Sequence, residues 1–416
     1  MIQLCYSTFG MTRLDFLQAI EAVDRAGYAG VELAFHRDQF NVFNLADEDL
    51  ERVRKCFETL RARPACVATA SHFFTPSRPH EPSLMSPDLA GRKRRIDLIR
   101  RGIYVARRVG APFVTFGSGF IRAEHLLHPE VNPHELLVDS IHQCLRALRE
   151  EDDITLLIEP EPGMYIETID QAIRLVEDVG SPRFRLHIDL CHMYCSEKDF
   201  IAGLARVAPY TRYLHVSDAR QGYNLKILAW DGTSDLELDM DFASYLIYFP
   251  DTAEYLLVDR AHPIYFYDEF KPGAARQKQI EDLLNLGGVS AALRYVDYST
   301  LYAGASPFDD EIFTYLISVP RLSFEVLERA RPILLYLRMP IHDGKPLVDK
   351  MVANTLTGIV HFHEIPGEGT FDFGSAFRTL SEHGYSGYAS VELYHHVESW
   401  EKALHDSYRH LAQFVA

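Results

Sequence analysis

Four apolar runs of this sequence each end in side chains that can bind a metal ion or move a proton. One ends at Glu159, one at Asp189 with His192 three residues further on, one at His215 and one at Glu392. An acid at the end of an apolar run is out of place unless it is paired or bound to a metal. Carboxylates and imidazoles around one point are typical ligands of a catalytic divalent ion. The pattern therefore predicts a metal-dependent enzyme, provided that the fold brings these run ends together.

Such a set of side chains suits removal of a proton next to a carbonyl group. That reaction needs a base beside the carbon and an electrophile at the oxygen to stabilise the enediolate. A divalent ion supplies the electrophile, and two glutamates on opposite sides of the substrate let one remove the proton and the other return it. Carboxylate-rich ligation favours Mn²⁺ or Mg²⁺, whereas an imidazole admits Zn²⁺, Co²⁺ or Fe²⁺. We expect one divalent ion, with Mn²⁺ favoured.

Short β-like runs alternate with amphipathic helical runs along most of the chain. Strands are predicted at 2–7, 30–35, 66–71, 112–116, 154–159, 184–189, 213–216 and 388–392. Helices are predicted at 12–26, 47–63, 134–150, 168–179, 200–208 and 373–383, with a long helix ending at 109 and a last one from 397. Eight alternating units predict an α/β fold, the closed (β/α)₈ TIM barrel, in which all strands end at one mouth.

The eighth strand comes late, and the material before it is too long and too structured for a simple loop. We therefore expect residues 1–221 and 358–416 to form the barrel and its catalytic site, and residues 222–357 to form a mixed α/β insertion after strand seven. Strands are predicted at 256–258 and 333–337, and helices at 276–286 and 324–331. This position at the barrel mouth suits a lid or an oligomer contact.

Charge and composition exclude several classes of protein. A net charge of −17 over 416 residues argues against binding nucleic acid through its phosphates, which relies on clustered Lys and Arg. One basic run, Arg92 to Arg95, opens a helical stretch and is interpreted as a solvated helix face. Nothing approaches the apolar length of a membrane span, and the first residues do not resemble a signal peptide. Six irregularly spaced cysteines fit thiols in a reducing cytoplasm.

Five motifs in this order resemble the xylose isomerase-like superfamily of TIM barrels, which includes sugar isomerases, epimerases and type-two AP endonucleases. The resemblance covers roughly residues 1–221 and 358–416. The motifs are Ile158-Glu159-Pro160, Asp189-Leu190-Cys191-His192, His215-Val216-Ser217-Asp218, His361-Phe362-His363-Glu364-Ile365-Pro366-Gly367-Glu368-Gly369, and Glu392.

The resemblance implies a metal site and a mechanism. In the isomerase and epimerase branch, two glutamates, an aspartate and a histidine hold one divalent ion. The corresponding ligands here are Glu159, Asp189, His215 and Glu392. The same two glutamates flank the substrate and move its proton, so Glu159 and Glu392 would also be the catalytic residues. Glu161 is an alternative to Glu159, although its position two residues later favours the loop.

Further positions are expected to bind the substrate or to support the ligands. His192 would bind the substrate or a second ion. His361 and His363 alternate on an extended segment, face the same side, and would belong to the loop that closes over the sugar or to a second metal position. His72 after strand three and Asp218 after strand seven are further substrate-binding candidates. Glu32, on strand two, would support a metal ligand.

Three functions remain open at this stage. The favoured one is a metal-dependent isomerase or epimerase of a sugar or related polyol, acting on a small carbohydrate-like molecule. The same proton abstraction followed by loss of a leaving group gives a dehydratase or lyase, as in inosose dehydratase-like or C-glycoside-cleaving relatives. The third is a non-enzymatic binding protein on a barrel scaffold. Strand four lacks a histidine where the endonucleases carry a zinc ligand, which disfavours DNA repair. A homo-oligomer is compatible with all three.

Overall fold

The computed structural model describes residues 1–69, 73–74, 80–120, 125, 130–162, 164–197, 199–220, 360–394 and 396–415. Within these ranges, residues 220 and 360–362 are described by their backbone alone, as are the short strands between residues 226 and 346.

Eight parallel strands close into a barrel, as the alternating pattern predicts. They are β1 (Gln3–Ser7), β2 (Gly30–Ala34), β3 (Arg63–Ala68), β4 (Phe113–Gly117), β5 (Thr155–Glu159), β6 (Phe184–Asp189), β7 (Thr211–Val216) and β19 (Tyr388–Val391). Their order around the barrel is β1-β19-β7-β6-β5-β4-β3-β2. The predicted (β/α)₈ fold is confirmed. The third strand begins at Arg63 and not at residue 66, because its pairing with β2 starts at Gly30 and Arg63.

Nine α-helices lie among the described residues. They are α1 (Phe16–Arg25), α2 (Asp47–Thr59), α3 (Leu89–Val109), α4 (Pro133–Leu145), α5 (Ile169–Val179), α6 (Leu190–Ser196), α7 (Phe200–Val207), α8 (Phe373–Glu382) and α9 (Trp400–Leu411). Side-chain caps begin several of them, such as Asp15 for α1 and Thr168 for α5, because their oxygens accept otherwise unpaired backbone amides. None of the helices in the described part of the chain has an apolar stretch long enough to cross a bilayer.

The register of the strands brings the functional run ends to one level. Asp189 is paired with His215 between β6 and β7, and Ser390 is paired with His215 between β19 and β7. The backbone amide of Glu392 donates to the carbonyl of Val216 at 3.3 Å. Adjacent parallel strands therefore present these ligand candidates at the carboxyl ends of the barrel, where active sites of this fold lie.

An apolar layer between the barrel and its helices supports that mouth. Its members are fully or almost fully buried and include Ile20, Ile99, Ile103, Leu175, Leu204, Leu380 and Leu404. Burial of each such side chain contributes about 1.5–3 kcal/mol. The barrel interior near the mouth is polar by contrast: Glu32, Thr115, His187 and His215 are all buried there.

The strands between β7 and β19 in sequence lie outside the barrel. Strand β8 (Asp218–Arg220) pairs antiparallel with β18 (Val360–Glu364). The strands β9 (Lys226–Trp230), β10 (Asp235–Leu238), β11 (Ser244–Phe249), β12 (Glu254–Asp259), β13 (Ala292–Asp297), β14 (Phe313–Ser318) and β15 (Tyr336–Arg338) form a seven-stranded sheet, and β16 (Ile341–His342) pairs with β17 (Lys345–Pro346). The strand expected at 256–258 lies within β12. The helices expected at 276–286 and 324–331 fall outside the described residues, and the division into domains stays a prediction.

Gly10 allows the segment after β1 to lie directly against the segment after β19. A methyl group on Gly10 would lie 2.3 Å from the backbone carbonyl oxygen of Leu393, so Gly10→Ala must push the two segments apart. We expect this substitution to lower the free energy of unfolding by about 1–3 kcal/mol, as measured by urea denaturation.

The control for this prediction is Gly374→Ala in α8. Its added methyl group meets no atom closer than 3.4 Å, and alanine favours a helix over glycine by about 0.5–1 kcal/mol. The prediction is wrong if Gly10→Ala unfolds at the same urea concentration as the wild type while Gly374→Ala behaves as expected.

Candidate active site

Three carboxylates converge on one nitrogen of His215. Its Nδ1 lies 3.2 Å from Oε1 of Glu159, 3.5 Å from Oε2 of Glu392 and 3.9 Å from Oδ2 of Asp189. The four side chains come from β5, β6, β7 and the residue after β19, which are consecutive around the barrel. The sequence motifs named these four residues as ligands, and the fold brings them together.

The second nitrogen of His215 orients the ring. Nε2 donates to Oε2 of Glu32 on β2 at 2.9 Å, and both side chains are buried. A carboxylate that accepts the other ring N–H sets the tautomer and orientation of a metal-binding histidine. Nδ1 therefore faces the three carboxylates, and once deprotonated it offers its lone pair to a cation. Glu32 has the supporting position that its place on strand two predicted.

Asp189 divides its two carboxylate oxygens between two tasks. Oδ1 accepts the backbone amides of Cys191 at 2.6 Å and His192 at 3.1 Å, and so caps α6. Oδ2 is buried and has no hydrogen-bond partner among the described residues. A buried carboxylate oxygen without a partner is costly, and this one faces His215. It is the atom that a cation would satisfy.

The distances from His215 to the three carboxylates suit a shared divalent ion. Zinc-to-ligand bonds of roughly 2.0–2.2 Å in a tetrahedron place neighbouring ligand atoms roughly 3.4 Å apart. The distances of 3.2, 3.5 and 3.9 Å from His215 Nδ1 lie around that value. Three hard oxygens and one imidazole nitrogen suit Mn²⁺, Mg²⁺, Zn²⁺, Co²⁺ or Fe²⁺. Glu159, Asp189, His215 and Glu392 would hold the ion.

Burial and neighbouring charges shift the pKa values of this cluster strongly. Burial raises the pKa of Glu392 well above its usual range, and the charges of Glu159, Glu32 and Asp189 add to the shift although His215 opposes it. Burial likewise raises the pKa of Glu159, against the effect of His215. For His215, burial by itself would lower the pKa, but Glu32, Glu392 and Glu159 outweigh it and hold the pKa well above normal.

A second pair of histidines lies beside the four ligands. Nε2 of His192 and Nε2 of His363 are 3.2 Å apart, and each lies 3.9 Å from Oδ2 of Asp189. Burial lowers the pKa of both histidines, to the greatest extent for His192. Neutral imidazoles each offer one donor and one acceptor, which suits the hydroxyl groups of a substrate.

His363 does not follow the simple strand geometry that the sequence predicted. Its φ angle is +53°, and the pairing of β18 with β8 is irregular between Val360 and Glu364. The regular extended geometry expected for this segment therefore does not hold at His363 itself. The side chain of His361 and the whole of His72 lie outside the described residues, so their roles stay predictions.

Asp218 lies in the adjoining loop. Its Oδ2 accepts the backbone amide of Gly367 at 2.8 Å, and its Oδ1 accepts those of Phe371 at 3.0 Å and Ala219 at 2.9 Å. These bonds hold the 367–371 segment against β8. The structure thus gives Asp218 a role in organising the loop, and its direct contact with substrate stays a prediction.

A pocket lies beside the four candidate ligands. Glu159, Glu392, His192 and His215 line it. Glu161 also lines the pocket and belongs to the loop after β5, as expected. Its Oε2 lies 3.6 Å from Nε2 of His80.

Sequence reasoning missed several residues of the pocket wall, among them His80, Arg95 and Tyr394. Arg95 was included in the basic run expected to face solvent, but it is only 4% exposed, so that expectation is wrong for this residue. Its helical spacing from the buried Ile99 and Gly102 was the signal that could have found it. His80 lies in a Pro-rich loop with φ of +59°, and no local pattern predicts its direction.

Comparisons with known proteins agree with this architecture. The family model described as xylose isomerase-like TIM barrel matches residues 20–242, more than half of the chain. Hydroxypyruvate isomerase of Escherichia coli (strain K12) is 26% identical over 213 residues, which are 49% of this chain and 74% of that protein.

Two solved structures share the fold over the full chain. One is the IOLI protein with a bound zinc atom, with a TM-score of 0.54 and 12% identity, covering 100% of both chains. The other is a xylose isomerase domain protein from Alicyclobacillus acidocaldarius subsp. acidocaldarius, with a TM-score of 0.52 and 12% identity, covering 100% of this chain and 99% of that one.

We expect Glu32→Ala to weaken divalent metal binding about 10- to 100-fold, because His215 would lose the acceptor that orients its ring. Calorimetric titration with Mn²⁺ measures the affinity. Glu48→Ala, which removes an exposed carboxylate from α2, is the control. Glu32→Gln keeps an acceptor without the charge and should lie between the two. Unchanged affinity in Glu32→Ala would contradict the role of Glu32.

Metal binding should release protons and become tighter as the pH rises. The raised pKa values of His215 and Glu392 mean that both groups keep their protons to higher pH than free side chains do. An ion binds only the deprotonated ligands, so affinity falls as the pH is lowered through these pKa values. Titrations in two buffers of different ionisation enthalpy count the released protons. Affinity that stays constant from about pH 5 to 8 would refute this coupling.

Proposed function

Because the chain belongs to the xylose isomerase-like TIM barrel family, we propose that it is a divalent-metal-dependent isomerase or epimerase. In this proposal it moves a proton next to the carbonyl group of a small carbohydrate-like substrate. The observation that carries the proposal is the convergence of Glu159, Asp189 and Glu392 on His215 Nδ1, within 3.9 Å, beside a pocket that Glu159, His215 and Glu392 line.

The two glutamates are the proton-transfer groups in this mechanism. Glu159 and Glu392 come from β5 and from the end of β19, with β6 and β7 between them, so they approach a bound substrate from different directions. One removes the proton from carbon and the other returns a proton. Each transfer of this kind contributes about a hundred- to ten-thousandfold in rate.

The remaining groups hold the substrate and the ligands in position. The bound ion would polarise the carbonyl oxygen and stabilise the charge that develops on it. His192 is buried, with its Nδ1 3.3 Å from the carbonyl oxygen of Pro160, and in this proposal it binds a substrate hydroxyl together with His363. Glu32 keeps His215 directed at the ion. Of the compatible ions, Mn²⁺ remains the one we favour, because three of the four ligands are carboxylates.

The substrate is proposed to be a short α-hydroxycarbonyl compound. The relative from Escherichia coli is named for its action on hydroxypyruvate, and the same chemistry here would convert hydroxypyruvate into 2-hydroxy-3-oxopropanoate. A proton leaves C3 and one is added at C2, while a hydroxyl proton passes from the C3 oxygen to the C2 oxygen. Atoms and charge are conserved. A cytoplasmic location and a homo-oligomer remain part of this proposal, whereas nucleic acid and membrane have no part in it.

Glu159→Gln and Glu392→Gln should each lower the rate of solvent deuterium incorporation into substrate about a hundredfold or more. The reason is that an amide cannot accept the proton. Proton NMR of hydroxypyruvate in D₂O with Mn²⁺-loaded protein measures the exchange. Glu48→Gln, far from the site on α2, is the control. Retained exchange in both glutamine variants at the site would defeat the mechanism.

The same experiment separates the alternatives. A product of the same mass as the substrate supports isomerisation, whereas a lighter product indicates elimination, as in a dehydratase or lyase. Loss of exchange in Glu161→Gln but not in Glu159→Gln would transfer the role of base to Glu161. A wild-type protein that binds no Mn²⁺ after reconstitution would favour the non-enzymatic binding protein.

A further inference from the structure

Arg95 is a buried cation in the wall of the same pocket. It lies on the inner face of α3 and is 4% exposed, and its Nε donates to the backbone carbonyl of Pro82 at 2.8 Å. The pocket that it lines also contains Glu159 and Glu392. Its neighbour Arg94, on the outer face of the same helix, is exposed.

Keeping a guanidinium group in this position is costly. Burial lowers the pKa of Arg95 to about 10, although the nearby charge of Glu81 opposes the shift. Arg95 therefore remains charged at neutral pH. Among the described residues that line the pocket it is the only Lys or Arg. A neutral polyol needs hydrogen-bond donors but no fixed positive charge in a desolvated wall, whereas an anion needs both.

We propose that Arg95 binds the carboxylate of the substrate, and hence that the enzyme acts on α-hydroxycarbonyl acids in preference to neutral sugars. This inference rests on the proposed function, because it assigns the part of the substrate that does not react. In a three-carbon acid of this class, the hydroxyl and carbonyl oxygens face the four ligands of the candidate metal site. The carboxylate is then left for the guanidinium group.

The surroundings favour a carboxylate over a phosphate group. The buried Glu161 lines the same pocket, and its charge repels a dianion more strongly than a monoanion. Arg95 has a planar array of donors that matches the two oxygens of a carboxylate. One guanidinium group, with the charge of Glu81 nearby, therefore suits a single carboxylate better than a phosphate dianion.

The test compares two substrates that differ only at this position. Hydroxypyruvate and dihydroxyacetone undergo the same proton shift, but the second carries a neutral CH₂OH group in place of the carboxylate. The wild-type protein loaded with Mn²⁺ should prefer hydroxypyruvate. Arg95→Gln should raise KM for hydroxypyruvate about 10- to 100-fold, the loss expected for a hydrogen bond to a charged group, and leave KM for dihydroxyacetone unchanged. Arg95→Lys should lie between them, and Arg94→Gln should match the wild type.

A binding measurement on the wild-type protein supports the test if Arg95 variants fail to fold. Calorimetry should detect D-glycerate, which carries the carboxylate, at least tenfold more tightly than glycerol. Equal binding of the two, or an equal effect of Arg95→Gln on both substrates, would overturn the role of Arg95. If Mn²⁺ binds but neither substrate is converted, the proposed reaction on three-carbon compounds fails, while the glycerate comparison still decides whether this pocket recognises a carboxylate.

Discussion

The imidazole of His215 is the group on which the site depends. Its Nε2 donates to Glu32 at 2.9 Å and its Nδ1 faces Glu159, Glu392 and Asp189. Four carboxylates gathered in a buried space repel one another, and a single imidazole between them is the nearest compensating group. That arrangement is stable as a charge distribution only with protons or a cation in the cluster. The raised pKa values of His215 and Glu392 follow from this crowding of buried charge.

The packed barrel holds these charged side chains close together despite their mutual repulsion. The candidate ligands lie at the carboxyl ends of strands that pack against an apolar layer of helices. The strand backbones therefore cannot move apart to relieve the repulsion between the carboxylates. Asp189 shows the same constraint locally, since one of its oxygens is held by the amides that begin α6. The other oxygen must then point towards His215. A rigid backbone thus keeps ligand atoms at distances that suit an ion.

The pocket beyond the ligands separates two kinds of polar group. Neutral histidines, His192 and His363, lie next to the carboxylates and suit hydroxyl groups. The charged Arg95 comes from a helix and reaches the pocket through the apolar layer. One barrel scaffold can serve several reactions when groups at the strand ends define the chemistry and residues from loops and helices select the substrate. The separation of these two kinds of polar group fits that arrangement.

Much of the architecture could be predicted from sequence because it depends on local periodicity. Alternation of β-like and helical runs predicts a barrel, and an acid or histidine at the end of an apolar run marks the mouth, which is how Glu159, Asp189, His215 and Glu392 were found. The exact ends of elements were less accessible: the helix expected to reach residue 63 ends at Thr59, since the chain must turn into β3. Sequence pattern also assigned Arg95 to a solvated face, although its spacing from Ile99 placed it on the buried one.

The sequence by itself determined the order of the strands, the residue types at their ends and the family resemblance, because these follow from patterns within a few neighbouring residues. Only the tertiary structure decided that His215 is the ligand candidate that Glu32 supports, that Asp218 binds a loop, and that His80 and Arg95 line the pocket. Those contacts join segments up to 183 residues apart in the case of Glu32 and His215. Their geometry depends on strand register and helix rotation, which no local pattern specifies.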